Sequence, residues 1–260
     1  MSVRICVLGS GSRGNSTLIA TEKARVLVDA GFSKRETYAR LDSIGEKCGD
    51  FDAILVSHEH IDHVRGLGTL ASDSKAPIYI SAATRDAIPW NGRAKTIELF
   101  SPGDAFTIGD IEVTSFTVPH DAADPVAFRI DAQGIRIGIV TDLGYIPEHV
   151  KHHVNGCHCL VFESNHDLEM LKVGPYPWHV KQRVMGRHGH LSNLTTAEFL
   201  REDFDCATQV LVLAHLSENN NHPEIVRMSA EEALARSVRP SGNVQLHLAS
   251  QSAPTQVFRF

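Results

Sequence analysis

The stretch Ala53-Ile54-Leu55-Val56-Ser57-His58-Glu59-His60-Ile61-Asp62-His63 decides how the rest of the chain is read. The apolar run Ala53 to Val56 reads as a buried strand that ends at Ser57. Three imidazoles and a carboxylate then fall within one tight turn, a ligand set that suits zinc, manganese or iron. His58 and His60 can point the same way, because alternate residues of an extended segment share a side. The chain must turn for Asp62 and His63 to reach a second ion. A solvated histidine-rich loop is the competing reading, since the chain carries 15 histidines. Shuffling this composition would give H-x-H-x-D-H only roughly once in a few hundred chains.

Composition sets the frame around that loop. At 260 residues the chain can hold one large domain or two small ones. A hydrophobic share of 42% with 22% charged residues allows a sizeable core. No apolar run approaches the length of a membrane span, and Met1 to Ile5 looks like a first strand rather than a signal peptide. Five scattered cysteines argue against a disulfide framework and for a reducing cytoplasm. The net charge of −6 does not advertise a nucleic-acid binder, although bound divalent cations would cancel part of it locally.

Val3 to Leu8 reads as a strand followed by Gly9-Ser10-Gly11-Ser12-Arg13-Gly14, which fits G-x-G-x-x-G. The dinucleotide reading fails on context, because that fingerprint opens a helix. Asn15 to Ala20 and Arg25 to Asp29 instead alternate like a hairpin. The glycine-rich turn can still line a site, since successive backbone N–H groups hold anions. Asp29 is either a strand-end turn residue or a carboxylate that orients ligand histidines from behind. Ser33 with Glu36 has the form of a capping box and predicts a helix to about Ile44, and Val64 to Ala71 continues the metal loop as a short helix.

Strands and helices then alternate. The pattern predicts strands at Ile78 to Ser81, Lys95 to Leu99, Ala105 to Ile108, Asp110 to Val118, Val126 to Ile130 and Gly134 to Val140, with a helix near Ala82 to Ile88. Pro119-His120 and Thr141-Asp142 each place a metal-competent side chain just beyond a strand, which makes His120 and Asp142 candidate ligands. Between Pro147 and Cys159 the histidines fit a solvated helix face, and Cys157-His158-Cys159 runs straight into the apolar strand Leu160-Val161-Phe162. Glu163 to Asp167 ends that strand with five polar residues. No acidic residue occurs between Lys172 and His190, where Lys172, Lys181, Arg183 and Arg187 are interleaved with Tyr176 and Trp178. That segment fits either a phosphate- and base-binding surface or a solvated basic helix face. His190 precedes a helix capped by Asn193 or Thr195 and running to Arg201, a position where an anion is welcome. His215 ends the buried strand Val210 to Ala214. A polar loop leads to Pro223, which opens a helix to about Ser237, and Val244 to Leu248 and Gln256 to Phe258 close the chain. Neither repeat nor linker is visible, so residues 1–260 read as one domain.

Taken in order, Asp29, His58-x-His60-x-Asp62-His63, His120, Asp142 and His215 resemble the ligand pattern of the metallo-β-lactamase superfamily. The resemblance spans essentially the whole chain and implies an α/β fold, a four-layer αββα sandwich with metals at the sheet edge. It implies two divalent metal ions, zinc or manganese with iron also possible. His58, His60 and His120 would hold one, Asp62, His63 and His215 the other, and Asp142 would bridge them. A carboxylate at that bridge is similar to the phosphodiesterase, RNase Z-like and glyoxalase branches, whereas true β-lactamases carry a cysteine there.

Gly9-Ser10-Gly11, Gly14-Asn15-Ser16, Glu163-Ser164-Asn165-His166-Asp167, Gly189-His190-Leu191-Ser192-Asn193, His215-Leu216-Ser217 and Asn219-Asn220 resemble the YycJ/WalJ branch. That branch implies a metal-dependent phosphodiesterase acting as a 5′-to-3′ exonuclease on duplex DNA. The expected partner is therefore nucleic acid, DNA ahead of RNA, and no membrane. Asp62 and His190 are the candidate catalytic residues: Asp62 to orient the nucleophile, His190 to bind a phosphoryl oxygen or protonate the leaving group. Asp29 and Glu163 would fix histidine tautomers. Asn15, Ser16, Asn165, His166, Lys181, Arg183, Ser192 and Asn219 are the candidate substrate-binding residues. The chain departs from larger nuclease members in lacking a long insertion between Asp142 and His215, hence a separate clamp domain. A thioester or lactone hydrolase of the glyoxalase II kind, a small cyclic phosphodiesterase and a non-catalytic metal module are the alternatives.

Overall fold

A computed structural model describes residues 2–90, 96–239 and 243–260. In chain order the elements are β1 (Arg4–Gly9), β2 (Ser16–Ala20), β3 (Arg25–Val28), α1 (Lys34–Ser43), β4 (Ala53–Leu55), α2 (Ile61–Val64) and α3 (Leu67–Ser74). They continue with β5 (Ile78–Ser81), α4 (Ala82–Ala87), β6 (Ile97–Phe100), β7 (Ala105–Ile108), β8 (Ile111–Thr117), β9 (Val126–Ala132) and β10 (Ile135–Val140). The last set is α5 (Glu148–Val154), β11 (Cys159–Glu163), α6 (Leu168–Val173), α7 (Trp178–Val184), α8 (Asn193–Glu202), β12 (Val210–Ala214), α9 (Pro223–Ala235), β13 (Gln245–Leu248) and β14 (Phe258–Arg259).

These strands form two sheets, ordered β14-β1-β2-β3-β4-β5-β6 and β13-β12-β11-β10-β9-β8-β7. Each is mixed: β1 to β3 and β7 to β9 pair antiparallel, while β3 to β6 and β10 to β13 run parallel. The chain falls into two compact units, Met1–Thr117 with Ala122–Ile135 and Ser250–Phe260, and Val118–Asp121 with Arg136–Ala249. Neither unit is continuous in sequence, which is why no linker marks a boundary.

In the first unit Leu8, Leu18, Leu27, Ile54, Val56, Leu67 and Ile78 share one buried cluster. Each such side chain contributes about 1.5–3 kcal/mol when fully withdrawn from water. In the second unit β11 and β12 are buried along their whole length, as expected for parallel strands covered on both faces. Phe162 stacks on Phe199 of α8 with ring centroids 4.7 Å apart.

Register places the polar residues. Val28 pairs with Leu55, so β3 and β4 end level and Asp29 comes beside Ser57. In the second unit Val140 pairs with Phe162, and Glu163 with Ala214. Asp142, Glu163 and His215 therefore gather at one sheet end, the carboxyl end of parallel strands where ligands bind in open α/β sheets. Asp29, Asp142 and His215 all adopt left-handed backbone conformations, with φ of 61°, 62° and 56°. Each costs about 1 kcal/mol relative to ordinary backbone. That turn breaks the strand at once and leaves the side chain at the sheet end.

Several boundaries differ from the sequence reading. Ser33 caps α1 through its hydroxyl, but Glu36 does not complete the box, because its carboxylate is taken by Arg40. The single helix expected over Val64 to Ala71 is two, α2 and α3, broken near Gly66, where a Cβ would overlap the Phe32 carbonyl. Ser192, rather than Asn193 or Thr195, caps α8, because the Asn193 amide is drawn inward to Ser164 and Asn221. The expected strand from Lys95 is Ile97–Phe100, and Lys95 lies outside the described residues. No helix among the described residues is long and apolar enough to cross a membrane.

Gly31 carries a packing constraint of this architecture. A Cβ there would overlap the Asp62 carbonyl oxygen and crowd the Asn15 amide, both rigid backbone. Gly31→Ala is expected to destabilise the chain by about 2 kcal/mol or more, read as a lower urea midpoint at unchanged m-value.

Candidate metal centre

In the first unit Asp29 anchors the loop after β4. Its Oδ1 accepts the Ser57 backbone N–H at 2.8 Å, and its Oδ2 accepts the Ser57 hydroxyl at 2.9 Å. His63 Nδ1 lies 2.8 Å from the same Oδ2, so it carries the proton and donates. With its hydrogen committed to Asp29, the Ser57 oxygen accepts from His58 Nδ1 at 3.0 Å. Both rings thereby keep Nε2 as a lone pair, the tautomer a metal requires. His58 Nε2 and His60 Nδ1 approach to 3.0 Å, so the two imidazoles converge on a common point. Glu59, between them, faces elsewhere and accepts the Ala123 N–H.

Asp62 lies in the first turn of α2, with Oδ2 3.5 Å from His63 Nε2. Asn15 holds it from the glycine-rich turn. The Asn15 Oδ1 accepts from Ser10 Oγ and the Gly11 N–H, which fixes the amide so that Nδ2 donates to Asp62 Oδ2 at 3.1 Å. The Asn15 backbone N–H also donates to the Asp62 carbonyl at 2.7 Å.

In the second unit Glu163 has the corresponding place. It is fully buried, and its Oε1 lies 2.9 Å from Nδ1 of both His190 and His215. Its oxygens also accept the backbone N–H groups of Asp142, Leu143 and Leu191. Burial alone would raise this carboxyl, but His190 and His215 outweigh it and hold the group down at about 2. Asp142 Oδ1 stands 3.5 Å from His215 Nδ1, 3.8 Å from His120 Nε2 and 3.9 Å from His190 Nδ1. His120 Nδ1 lies 3.1 Å from the Gly189 carbonyl oxygen and donates to it, which leaves Nε2 as the ligand atom. Burial pushes the His120 ring below the ordinary histidine range, so it is neutral and able to coordinate near pH 7.

Donor atoms of Asp142, Glu163, His190 and His215 lie within 4.8 Å of one another. Imidazoles and carboxylates gathered this closely, with tautomers set from behind, fit a first-row divalent ion. His190 is the accessible member: its side chain is 18% exposed, against 4% for Asp142 and His215 and 0% for Glu163.

Most of the expected substrate-binding side chains lie inside. Asn15 holds Asp62, Ser16 Oγ donates to the Asp29 carbonyl, and Asn165 Nδ2 donates to the His215 carbonyl. The Lys181 ammonium is buried against the Lys172 carbonyl, and Ser192 caps α8. A buried polar group must find an internal partner, and these have done so at the expense of solvent contact. His166 is also buried, with its ring held down at about 4 by burial, and among the described residues neither ring nitrogen has a hydrogen-bond partner. Arg183 and Asn219 are exposed. Sequence reasoning missed Ser57, whose hydroxyl links Asp29 to His58, and Asp121, which lies 3.4 Å from both His120 Nε2 and Arg183 Nε. Their position next to ligand candidates was the available signal.

A family model described as a beta-lactamase superfamily domain matches residues 24–216. The chain is 38% identical over 99% of both sequences to an exodeoxyribonuclease YycJ of Bacillus anthracis. It is 36% identical, over 88% of its length and 87% of the relative's, to an exodeoxyribonuclease WalJ of Streptococcus pneumoniae serotype 2. Among solved structures, the metallo-β-lactamase-fold protein YhfI of Bacillus subtilis superposes over 100% of both chains with a TM-score of 0.73 at 18% identity. The fold expected from the sequence is therefore the one present.

Glu163→Gln keeps the shape of the second-unit group and removes its charge. Zinc or manganese affinity is expected to fall roughly 10- to 100-fold, measured by titration against a competing chelator. An unchanged affinity would show that the carboxylate does not set the ligands.

Proposed function

The chain belongs to the β-lactamase superfamily, and we propose that within it this protein is a metal-dependent exodeoxyribonuclease. The full-length 38% identity to an enzyme of that name carries the reading. The donor chemistry supports it, with a carboxylate, Asp142, at the position where a β-lactamase would place a thiolate. We read residues 1–260 as one hydrolase domain.

The proposal extends to two divalent ions. His58, His60 and His120 would hold one, Asp62, His63 and His215 the other, and Asp142 would bridge. Bound there, such ions supply Lewis acidity and bring the pKa of water towards neutrality. Asp62, steadied by Asn15, orients the attacking water and accepts its proton. His190 acts on the other side of the reaction. In the doubly protonated ring, Glu163 accepts from Nδ1, and the Nε2–H hydrogen-bonds a non-bridging phosphoryl oxygen or passes its proton to the departing alkoxide. Asp29 and Glu163 hold the ligand histidines in their coordinating tautomers. DNA is the substrate ahead of RNA, with duplex ends degraded 5′ to 3′.

A side-by-side assay with added manganese or zinc tests the proposal, comparing a chromogenic phosphodiester, a thioester, a lactone and DNA duplexes labelled at either end. Turnover of the phosphodiester and release of nucleotides from the 5′ end are expected. Hydrolysis confined to the thioester or lactone would refute the reading. Asp142→Ala is expected to lose bound metal together with activity. His190→Ala should retain metal and lose roughly 100- to 10,000-fold in kcat. Retention of full metal content and rate by Asp142→Ala would remove it from the bridging position.

A further inference from the structure

From Met170 to Ala197 the chain contains no aspartate or glutamate, although the protein as a whole carries a net charge of −6. Helix α7 lies within this stretch, and its outer side is formed by Trp178, His179, Gln182 and Arg183, all exposed. On a helix these four positions span an arc of about 140°, so they make one continuous face. Trp178 is 62% exposed, and among the described residues its ring has no aromatic, cationic or hydrogen-bonded partner. An exposed indole presents a flat apolar face with a polar edge, the kind of side chain enriched where a surface meets a ligand.

Two basic residues of this stretch, Arg183 and Arg187, lie beside the second-unit ligand residues. The Arg183 side chain is 70% exposed, with Nε 3.4 Å from Asp121, the carboxylate next to His120. Arg187 is exposed and lies over the Tyr145 ring at 4.3 Å. Its backbone packs against Gly144, two residues beyond Asp142, where any Cβ would overlap it. Lys181 takes no part, being buried beneath the helix.

Resting on the nuclease reading, we propose that the exposed face of α7, continued by Arg187, binds the nucleic-acid strand delivered to the metal centre. Arg183 and Arg187 hold backbone phosphates, and a base stacks on Trp178. A cationic surface with an available aromatic face is the chemistry that tracks a strand without reading its sequence.

The test measures affinity without turnover, by fluorescence anisotropy of labelled DNA and RNA oligonucleotides in chelator, with the intact chain. Trp178→Ala is expected to weaken binding roughly tenfold, Trp178→Phe to restore most of it, and an oligonucleotide of abasic nucleotides to be indifferent to both. Arg183→Ala should weaken binding across all sequences and flatten the logarithmic salt dependence by about one unit. Hydrolysis of the chromogenic phosphodiester by the parent reports on the centre independently of this surface. Equal oligonucleotide affinity in parent, Trp178→Ala and Arg183→Ala would overturn the surface, as would a parent that does not bind. Self-association lost in Trp178→Ala while oligonucleotide affinity stays constant would overturn it in favour of a second copy. Phosphodiester turnover is read separately, so failure of this surface is distinct from failure of the nuclease reading.

Discussion

Level termination of parallel strands is the constraint on which the ligand group of each unit depends. A parallel ladder fixes which residues leave neighbouring strands at the same height. Val28 opposite Leu55 and Glu163 opposite Ala214 put the following residues side by side. Asp29, Asp142 and His215 then leave their strands through left-handed backbone turns. Glycine would make these turns more cheaply, but it has no side chain to offer. The chain accepts the backbone cost at the positions where a carboxylate or imidazole must stand at the sheet end.

Behind the ligand atoms stands a buried carboxylate in each unit. Asp29 gathers Ser57 and His63, and Glu163 gathers His190, His215 and three backbone N–H groups. Withdrawing a carboxylate from water is unfavourable, and only a full set of donors offsets it. Because those donors are the histidines themselves, one interaction satisfies the buried charge and chooses which ring nitrogen faces the metal. The glycine-rich turn does related work through Asn15, whose amide is fixed on one side and bound to Asp62 on the other. The G-x-G-x-x-G pattern there leads into β2 rather than into a helix, and the Asn15 that follows it serves the metal loop.

Charge is distributed just as unevenly. A net charge of −6 hides a 28-residue interval without an acid, and that interval passes beside Asp142 and His120 before reaching His190. Asp62, Asp142 and Glu163 stand where cations would bind, and Arg183 and Arg187 where a polyanion would lie. Global composition averages the two and obscures both.

Local spacing alone determined that this chain binds metal. His58, His60, Asp62 and His63 are close in sequence, so their proximity needs no long-range pairing. The strand-end positions of Asp29, His120, Asp142, Glu163 and His215 were legible too, since apolar runs stop abruptly at polar residues. Tertiary structure decided which of those ends stand level, because register between strands far apart in sequence is a property of the ladder. It also decided the fate of ordinary polar residues. Asn15, Ser16, Asn165, Lys181 and Ser192 have side chains that suit a substrate as well as a core. Burial committed each to an internal partner, whereas Trp178 and Arg183, no more distinctive in the sequence, were left facing water. Whether a polar side chain faces solvent depends on what packs over it, and a linear sequence carries that information only through the whole fold.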